Sequence, residues 1–311
     1  MIEGFRIPLG DWARIAVDYV TDNLDGFFTF LRSVFLGMFD GVDFVLSTPP
    51  FWVVIAIAAI IAFCAKGWVF AILSAVGLTL IVGFDQWENA MDTLALILVA
   101  SVIALVISIP IGILAAGSKK VSAVVRPILD LMQTMPAFVY LIPALLLFRV
   151  GVVPGIVATI IFALAPGVRL TELGIRGVDS ETVEAGHAFG ATPGQILRGI
   201  QLPLAMPTIM AGVNQVIMLA LSMVVVAGLA GADGLGAIVT SAVTQLDIGA
   251  GFQGGLAVVI LAIYLDRVTG ALADPTSKWS WRRRRPTTDV ASPEDAAIDP
   301  TETAKLVSPV R

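Results

Sequence analysis

The apolar positions of this chain fall in long uninterrupted blocks. Residues 67–84, 93–118, 131–148, 150–168, 199–232 and 248–265 carry no charged side chain. Each block approaches or exceeds the roughly 18–20 residues that cross a bilayer as a helix. Residues 51–65 form a shorter block of 15. Lys66-Gly67 leaves room for only a tight turn before the next block, so 51–85 reads as a membrane hairpin, with a re-entrant loop as the alternative. Upstream, Trp12, Ile15, Ala16, Tyr19, Val20, Leu24, Phe27, Phe28 and Leu31 recur at helical spacing, with Asp11, Arg14, Asp18, Asp22 and Asp25 on the opposite face. That pattern predicts, over residues 1–50, an amphipathic helix lying in the membrane interface. The whole reads as an all-α polytopic membrane protein of about seven spans, with a core at 86–273.

One segment breaks the apolar rhythm. Residues 183–203, VEAGHAFGATPGQILRGIQLP, are polar, helix-prone and cut by glycines. Asp179 and Ser180 offer N-caps, and Glu181 and Glu184 suit a first turn facing the helix dipole. A helix over 181–189 is expected to end at Gly190 in a left-handed cap. Thr192 then caps a second helix with Pro193 at its first position, expected over 193–200 and stopping before Leu202-Pro203. Two short helices joined by a glycine elbow, held between two spans, suit mechanical coupling to a soluble partner.

Composition sharpens this picture. The 311 residues are 57% hydrophobic and 14% charged, where a soluble domain carries about a quarter charged residues. Of the 19 Lys and Arg, 15 fall on alternate loops: Lys66; Lys119, Lys120 and Arg126; Arg169, Arg176 and Arg198; and the C-terminal group from Arg267 to Arg311. The positive-inside rule then puts the N-terminus outside, the C-terminus in the cytoplasm, and 179–203 on the cytoplasmic side. Residues 274–311 turn Pro-, Thr-, Asp- and Ala-rich and lose apolar periodicity, as a disordered tail does. Its Arg282–Arg285 run reads as a topology anchor, or as a contact to anionic lipid or to a partner. MIEGFRIPLGDW lacks a basic start followed by an apolar core, so no cleavable signal peptide is expected. The single Cys64 reads as a small buried hydrophobe, and the single His187 as a surface residue or a partner contact; neither founds a metal site.

Residues 184–203 resemble the loop of ATP-binding-cassette importer permeases, written E-A-A-x3-G-x9-I-x-L-P. Glu184, Ala185, Gly190, Ile200, Leu202 and Pro203 match, and Gly186 stands where the pattern has alanine. Gly there costs a helix about 0.5–1 kcal/mol relative to Ala. A narrower resemblance covers most of the chain. MQTMPAFVYLIPALLLF (132–148), RLTELGIRGV (169–178), the 202–236 segment and LDIGAGFQGGLAVVILAIYLDR (246–267) are similar to the glycine betaine/proline betaine/choline permeases, the ProW-like branch, as is IPLGDW (7–12).

The resemblance implies a type I importer transmembrane domain working by alternating access. Its loop, with Glu181, Glu184, Ala185, Gly186, Gly190, Ile200, Leu202 and Pro203, would dock on an ATPase subunit. Two copies of the permease and two ATPase subunits, ATP-Mg bound in the latter, and an extracytoplasmic substrate-binding protein are implied, with Asp233 and Asp247 as contacts for that protein. No cofactor, metal or nucleic acid is expected in this chain. It has no Gly-x4-Gly-Lys-Ser/Thr loop, so hydrolysis belongs to another subunit.

Polar groups inside the blocks line a pathway or bond between helices. Gln133, Thr134, Asn214, Gln215 and Ser222 are the candidates. Met132, Met135, Tyr140, Phe148, Met218 and Met223 offer soft or π-rich surface to a quaternary ammonium, or simply pack. Asp266-Arg267 reads as a snorkelling pair. A secondary transporter or channel for a small polar solute is the rival. It predicts ionisable residues at membrane depth, which 131–148 and 150–168 lack. An intramembrane enzyme would need a nucleophile–base pair or metal ligands, and the blocks offer neither.

Overall fold

The computed structural model describes residues 9–273, and these are helical with short connections. The tail at 274–311, including Arg282–Arg285, and the first two residues of IPLGDW lie outside the described residues. Helix α1 spans Leu9–Ser47, with non-helical dihedrals at Leu24. Helices α2 (Phe51–Lys66) and α3 (Trp68–Gly83) form a hairpin about Gly67. Then come α4 (Trp87–Gly117), α5 (Lys119–Thr134), α6 (Ala137–Phe148) and α7 (Val152–Arg176). After α8 (Ser180–Ala188) and α9 (Pro193–Ile196) follow α10 (Leu202–Ser222), α11 (Val224–Leu229), α12 (Leu235–Gln245) and α13 (Ile248–Ala273).

Four stretches are long and apolar enough to cross a membrane: α4, α7, Pro193–Leu229 and Ile248–Ala271. Two bent pairs, Asn23–Ser47 with α2 at 96° and α5 with α6 at 95°, bring the number to six if each crosses as one. Helix α3, apolar but 16 residues long, is shorter. At 1.5 Å per residue it extends only about 24 Å.

Helix α7 is the centre of the bundle. It packs most extensively on α4 and next on α10. Small residues at every fourth position make the α4–α7 approach possible: Ala100, Ala104, Ser108 and Gly112 on one helix, Thr159, Ala163, Gly167 and Thr171 on the other. A Cβ on Gly167 would lie 2.3 Å from Ser108 Oγ, and one on Gly112 would lie 2.5 Å from Thr171 Cβ. In lipid, where water does not drive helices together, such close backbone packing is the main attraction. On its other side α7 meets α10, with Gly174 against Thr208 and Gly212 against Leu170.

The predicted N-terminal helix forms, and its second half is seated on the bundle. Arg32 Nε donates to the carbonyl of Phe148 at 3.0 Å, closing the end of α6, while Phe28 meets the Phe148 ring edge-on. Phe35, Phe39 and Val42 pack on the main core. The α2–α3 hairpin leans on α13, where Tyr264 donates to the carbonyl of Ala58 at 3.1 Å. Cys64 departs from expectation: it is exposed, because α2 buries its Ala62 and Ala65 side instead.

The block at 199–232 is interrupted. Helix α10 ends at Ser222, and after Met223 α11 continues for six residues before a turn with positive φ at Gly231 and Gly234. Helix α12 begins there, pinned to α4: Thr93 Oγ1 accepts from the amide of Leu235 at 2.9 Å and donates to the carbonyl of Asn89.

Candidate functional site

The polar segment folds as an elbow. Asp179 caps α8, its carboxylate accepting from the Glu181 amide and from Thr182 Oγ1, both at 3.2 Å. Gly190 takes φ 77°. Its amide reaches the His187 carbonyl at 2.9 Å, and the Ala191 amide reaches the Gly186 carbonyl at 3.1 Å. Together these two bonds make a Schellman cap. Gln195 Oε1 then accepts from the Thr192 amide at 2.8 Å, which fixes the start of α9. The caps stand where local sequence placed them.

Two features of the elbow differ from the sequence reading. The second helix does not stop before Leu202-Pro203. Residues Leu197–Gln201 widen into a π-turn, with the Leu202 amide bonded to the Leu197 carbonyl, and the chain runs on into α10. Pro203 has no N–H for the Gly199 carbonyl and its ring crowds that carbonyl, so a wider turn there lets the helix continue. Gly186 is a packing residue as well as a weak helix former. It is buried, and a Cβ on it would lie 2.7 Å from Ile200 Cδ1. Through it α8 lies on Ile196 and Ile200, and the elbow and the start of α10 become one body. Glu181, Glu184, Ala185 and His187 face outward, and Phe189 at the cap is 91% exposed.

The candidate path residues separate. Gln215 and Ser222, two helical turns apart, share the exposed face of α10, and Ser222 bonds back to the Leu219 carbonyl. Asn214 lies about 100° round the helix and faces α13. Its Nδ2 donates to Asp266 Oδ1 at 3.2 Å, and its Oδ1 accepts from Thr269. The geometry favours the interhelical bond over the pathway for this residue. Asp266 thus bonds inward through one oxygen while its side chain stays 41% exposed, with Arg267 3.9 Å away on the other oxygen. Gln133 and Thr134 are exposed at the α5–α6 bend. Tyr140 donates to the Met132 carbonyl across that bend, while Phe148 and Met223 are buried in packing.

At the opposite end of the bundle, Asp233 lines a cleft of about 240 Å³ with Arg32, Asp40 and Asp92. Asp247 instead caps α13, accepting from the Ala250 amide at 3.0 Å. The 11 residues of α12 lie between the two aspartates.

Sequence reasoning passed over one cluster. Glu172, one turn from the end of α7, is 4% exposed. Its Oε1 accepts from Ser122 Oγ at 2.7 Å and from Arg126 Nη2 at 3.0 Å, both on α5, and lies 3.1 Å from Arg176 Nε on its own helix. Arg176 also donates to the Ala115 carbonyl of α4 at 2.8 Å. A second ion pair, Asp130 with Arg169, joins α5 and α7 nearby. The available signal was a carboxylate spaced i−3 and i+4 from two arginines beside an apolar block.

Residues 108–276 match the family described as "Binding-protein-dependent transport system inner membrane component". The chain is 49% identical over 269 residues to the glycine betaine/carnitine transport permease protein GbuB of Listeria monocytogenes, covering 85% of this chain and 95% of that protein. It is 47% identical to the glycine betaine transport system permease protein OpuAB of Bacillus subtilis, over 85% and 94% of the two chains. Against the glycine betaine/proline betaine transport system permease protein ProW of Escherichia coli it is 46% identical, over 86% and 75%. A chain of the inward-facing MetNI methionine ABC transporter superposes with a TM-score of 0.54 at 23% identity, over 60% of this chain and 95% of that one. With the fold of a type I ABC importer transmembrane domain, the chain belongs to the binding-protein-dependent transport permeases of the inner membrane.

Proposed function

We propose that this permease is the pore subunit of an ATP-driven importer of quaternary ammonium osmoprotectants, the glycine betaine, proline betaine and choline class. The observation that carries the reading is the Gly190 elbow: an outward-facing polar unit linked to α7 by three residues and packed on the start of α10. It is the surface a separate ATPase needs in order to move the bundle. Phe189 offers that partner an apolar anchor, and Glu181 and Glu184 add exposed carboxylates on the helix that leads to it. The relatives' substrates, read from their names, support the cargo class.

In this reading the elbow end faces the cytoplasm, about seven spans cross the membrane, and the N-terminus lies outside. The parts 1–50, 51–85, 86–273 and 274–311 are interfacial segment, hairpin, permease core and tail. Two copies pair with two ATPase subunits, which hold ATP-Mg, and an extracytoplasmic binding protein delivers the cargo near Asp233. Gln133, Thr134, Gln215 and Ser222 line the path, and Asn214 supports it from behind.

The test is uptake of labelled glycine betaine by proteoliposomes holding the permease, its ATPase and its binding protein. Uptake that requires all three and ATP inside supports the reading. Uptake without the ATPase would replace it with a secondary transporter. In a Cys64→Ser background, His187→Cys should resist an impermeant thiol reagent from outside and Asp233→Cys should react; the reverse pattern inverts the topology.

A further inference from the structure

The Glu172 cluster holds its carboxylate by two kinds of partner. Arg176 lies on the same helix, four residues on, and moves with Glu172 wherever α7 goes. Ser122 and Arg126 belong to α5 and stay bonded only while α5 lies against α7. The carboxylate is buried, whereas the Arg126 side chain is 60% exposed. If α5 moves away, Arg126 regains water and Glu172 keeps the Arg176 guanidinium. An uncompensated buried charge, the usual penalty for breaking such a bridge, does not arise. Opening the bridge would therefore leave each charge with a partner or with water, which is what an element that switches requires.

Its position gives the switch a purpose. Glu172 and Arg176 occupy the last turns of α7, and the neighbouring Ile175 and Val178 pack in one cluster with Leu197 and Leu202 at the base of the elbow, which couples the carboxylate to the elbow. Helix α5 runs from Ser122 and Arg126 to the 95° bend that carries Gln133 and Thr134. From Arg126 to Gln133 that is about 10 Å of helix. We infer that the Arg126–Glu172 bridge is the exchangeable tie through which the docking elbow holds and releases α5, and with it the α5–α6 bend, during transport. Arg126 and Glu172 are positioning residues on this account, and the inference rests on the importer reading above.

Two experiments on the complete complex in proteoliposomes decide it. Arg126→Gln removes the exchangeable tie and leaves Glu172 with Arg176 and Ser122. Assembly and melting temperature should hold, while glycine betaine taken up per ATP hydrolysed falls about fivefold or more; Arg126→Lys should recover most of it. A merely structural bridge would instead lower assembly or melting temperature and leave that ratio unchanged. Second, Asp130→Cys with Arg169→Cys, in a Cys64→Ser background, places two thiols across α5 and α7. A reducible methanethiosulfonate crosslinker should stop uptake, and reductant should restore it. Normal uptake by the crosslinked complex, or an unchanged uptake-to-ATP ratio in Arg126→Gln, would overturn the tie while the importer reading stands. Absence of uptake by the wild-type complex would overturn both.

Discussion

At the elbow, a Cβ built on Gly190 meets nothing within 4 Å; at the far end of the bundle, one built on Gly236 would lie 2.1 Å from the Val224 carbonyl oxygen. Gly190 is glycine for its backbone angle, φ 77°. Gly236 is glycine for space, since α11 and α12 cross with backbone on backbone. Gly228, whose Cβ would come 2.4 Å from the Gly236 carbonyl carbon, is the matching half of that crossing. The contrast follows from the two environments. The elbow projects from the bundle and is shaped by its own caps. The α11–α12 turn is wedged between α7 and α4 and is shaped by what surrounds it.

Substitution separates the two uses, and the largest effect is expected at the far end. Gly236→Ala forces a methyl into a backbone carbonyl that has no side-chain freedom to retreat. The cost is expected near the top of the overpacking range, about 3 kcal/mol, read as loss of assembled complex and a lower melting temperature in detergent. Full assembly of this variant would mean that the α11–α12 crossing is looser than described.

Next comes Gly190→Val. A β-branched residue in the left-handed region costs roughly 1–2 kcal/mol locally. With open space around it, the bundle should still assemble, and substrate-stimulated ATPase activity should fall. Equal losses of assembly in the Gly190 and Gly236 variants would erase the distinction between them.

Asn214→Leu tests a polar tie against both glycines. It removes two hydrogen bonds between α10 and α13, worth about 1 kcal/mol each. Thermal stability should drop, with uptake per assembled complex close to normal. A stable variant with poor uptake would return Asn214 to the pathway.

The smallest change is expected for Gly186→Ala, which restores the alanine of the importer pattern. Helix propensity favours it by about 1 kcal/mol, and turning Ile200 Cδ1 aside costs about as much. The melting temperature should move little, in contrast to Gly236→Ala, because the obstructing atom is the end of a side chain and not backbone.

Much of the elbow was legible from sequence. Asp179, Gly190 and Thr192 act on neighbours within five residues, so their order along the chain already contains the geometry. The continuation past Pro203 was not legible, because a proline reads as a stop unless a π-turn precedes it, and no residue in LRGIQ announces one. Glu172 was missed for a different reason: its α5 partners lie 46 and 50 residues earlier in the chain. Gln215 and Asn214, adjacent in sequence, looked alike until the structure turned one to an open face and the other to α13.

The sequence by itself determined the helical membrane architecture, because lipid leaves a backbone few ways to satisfy its own hydrogen bonds and the apolar blocks mark where it does so. It determined the caps and hinge of the elbow as well, through local hydrogen bonds and one glycine. Only the tertiary structure decided which glycines are there for space, which amide is tied to a neighbouring helix, and which carboxylate gathers arginines from two helices. Those outcomes depend on contacts between distant segments, and helical periodicity fixes a residue's face without fixing what that face will meet.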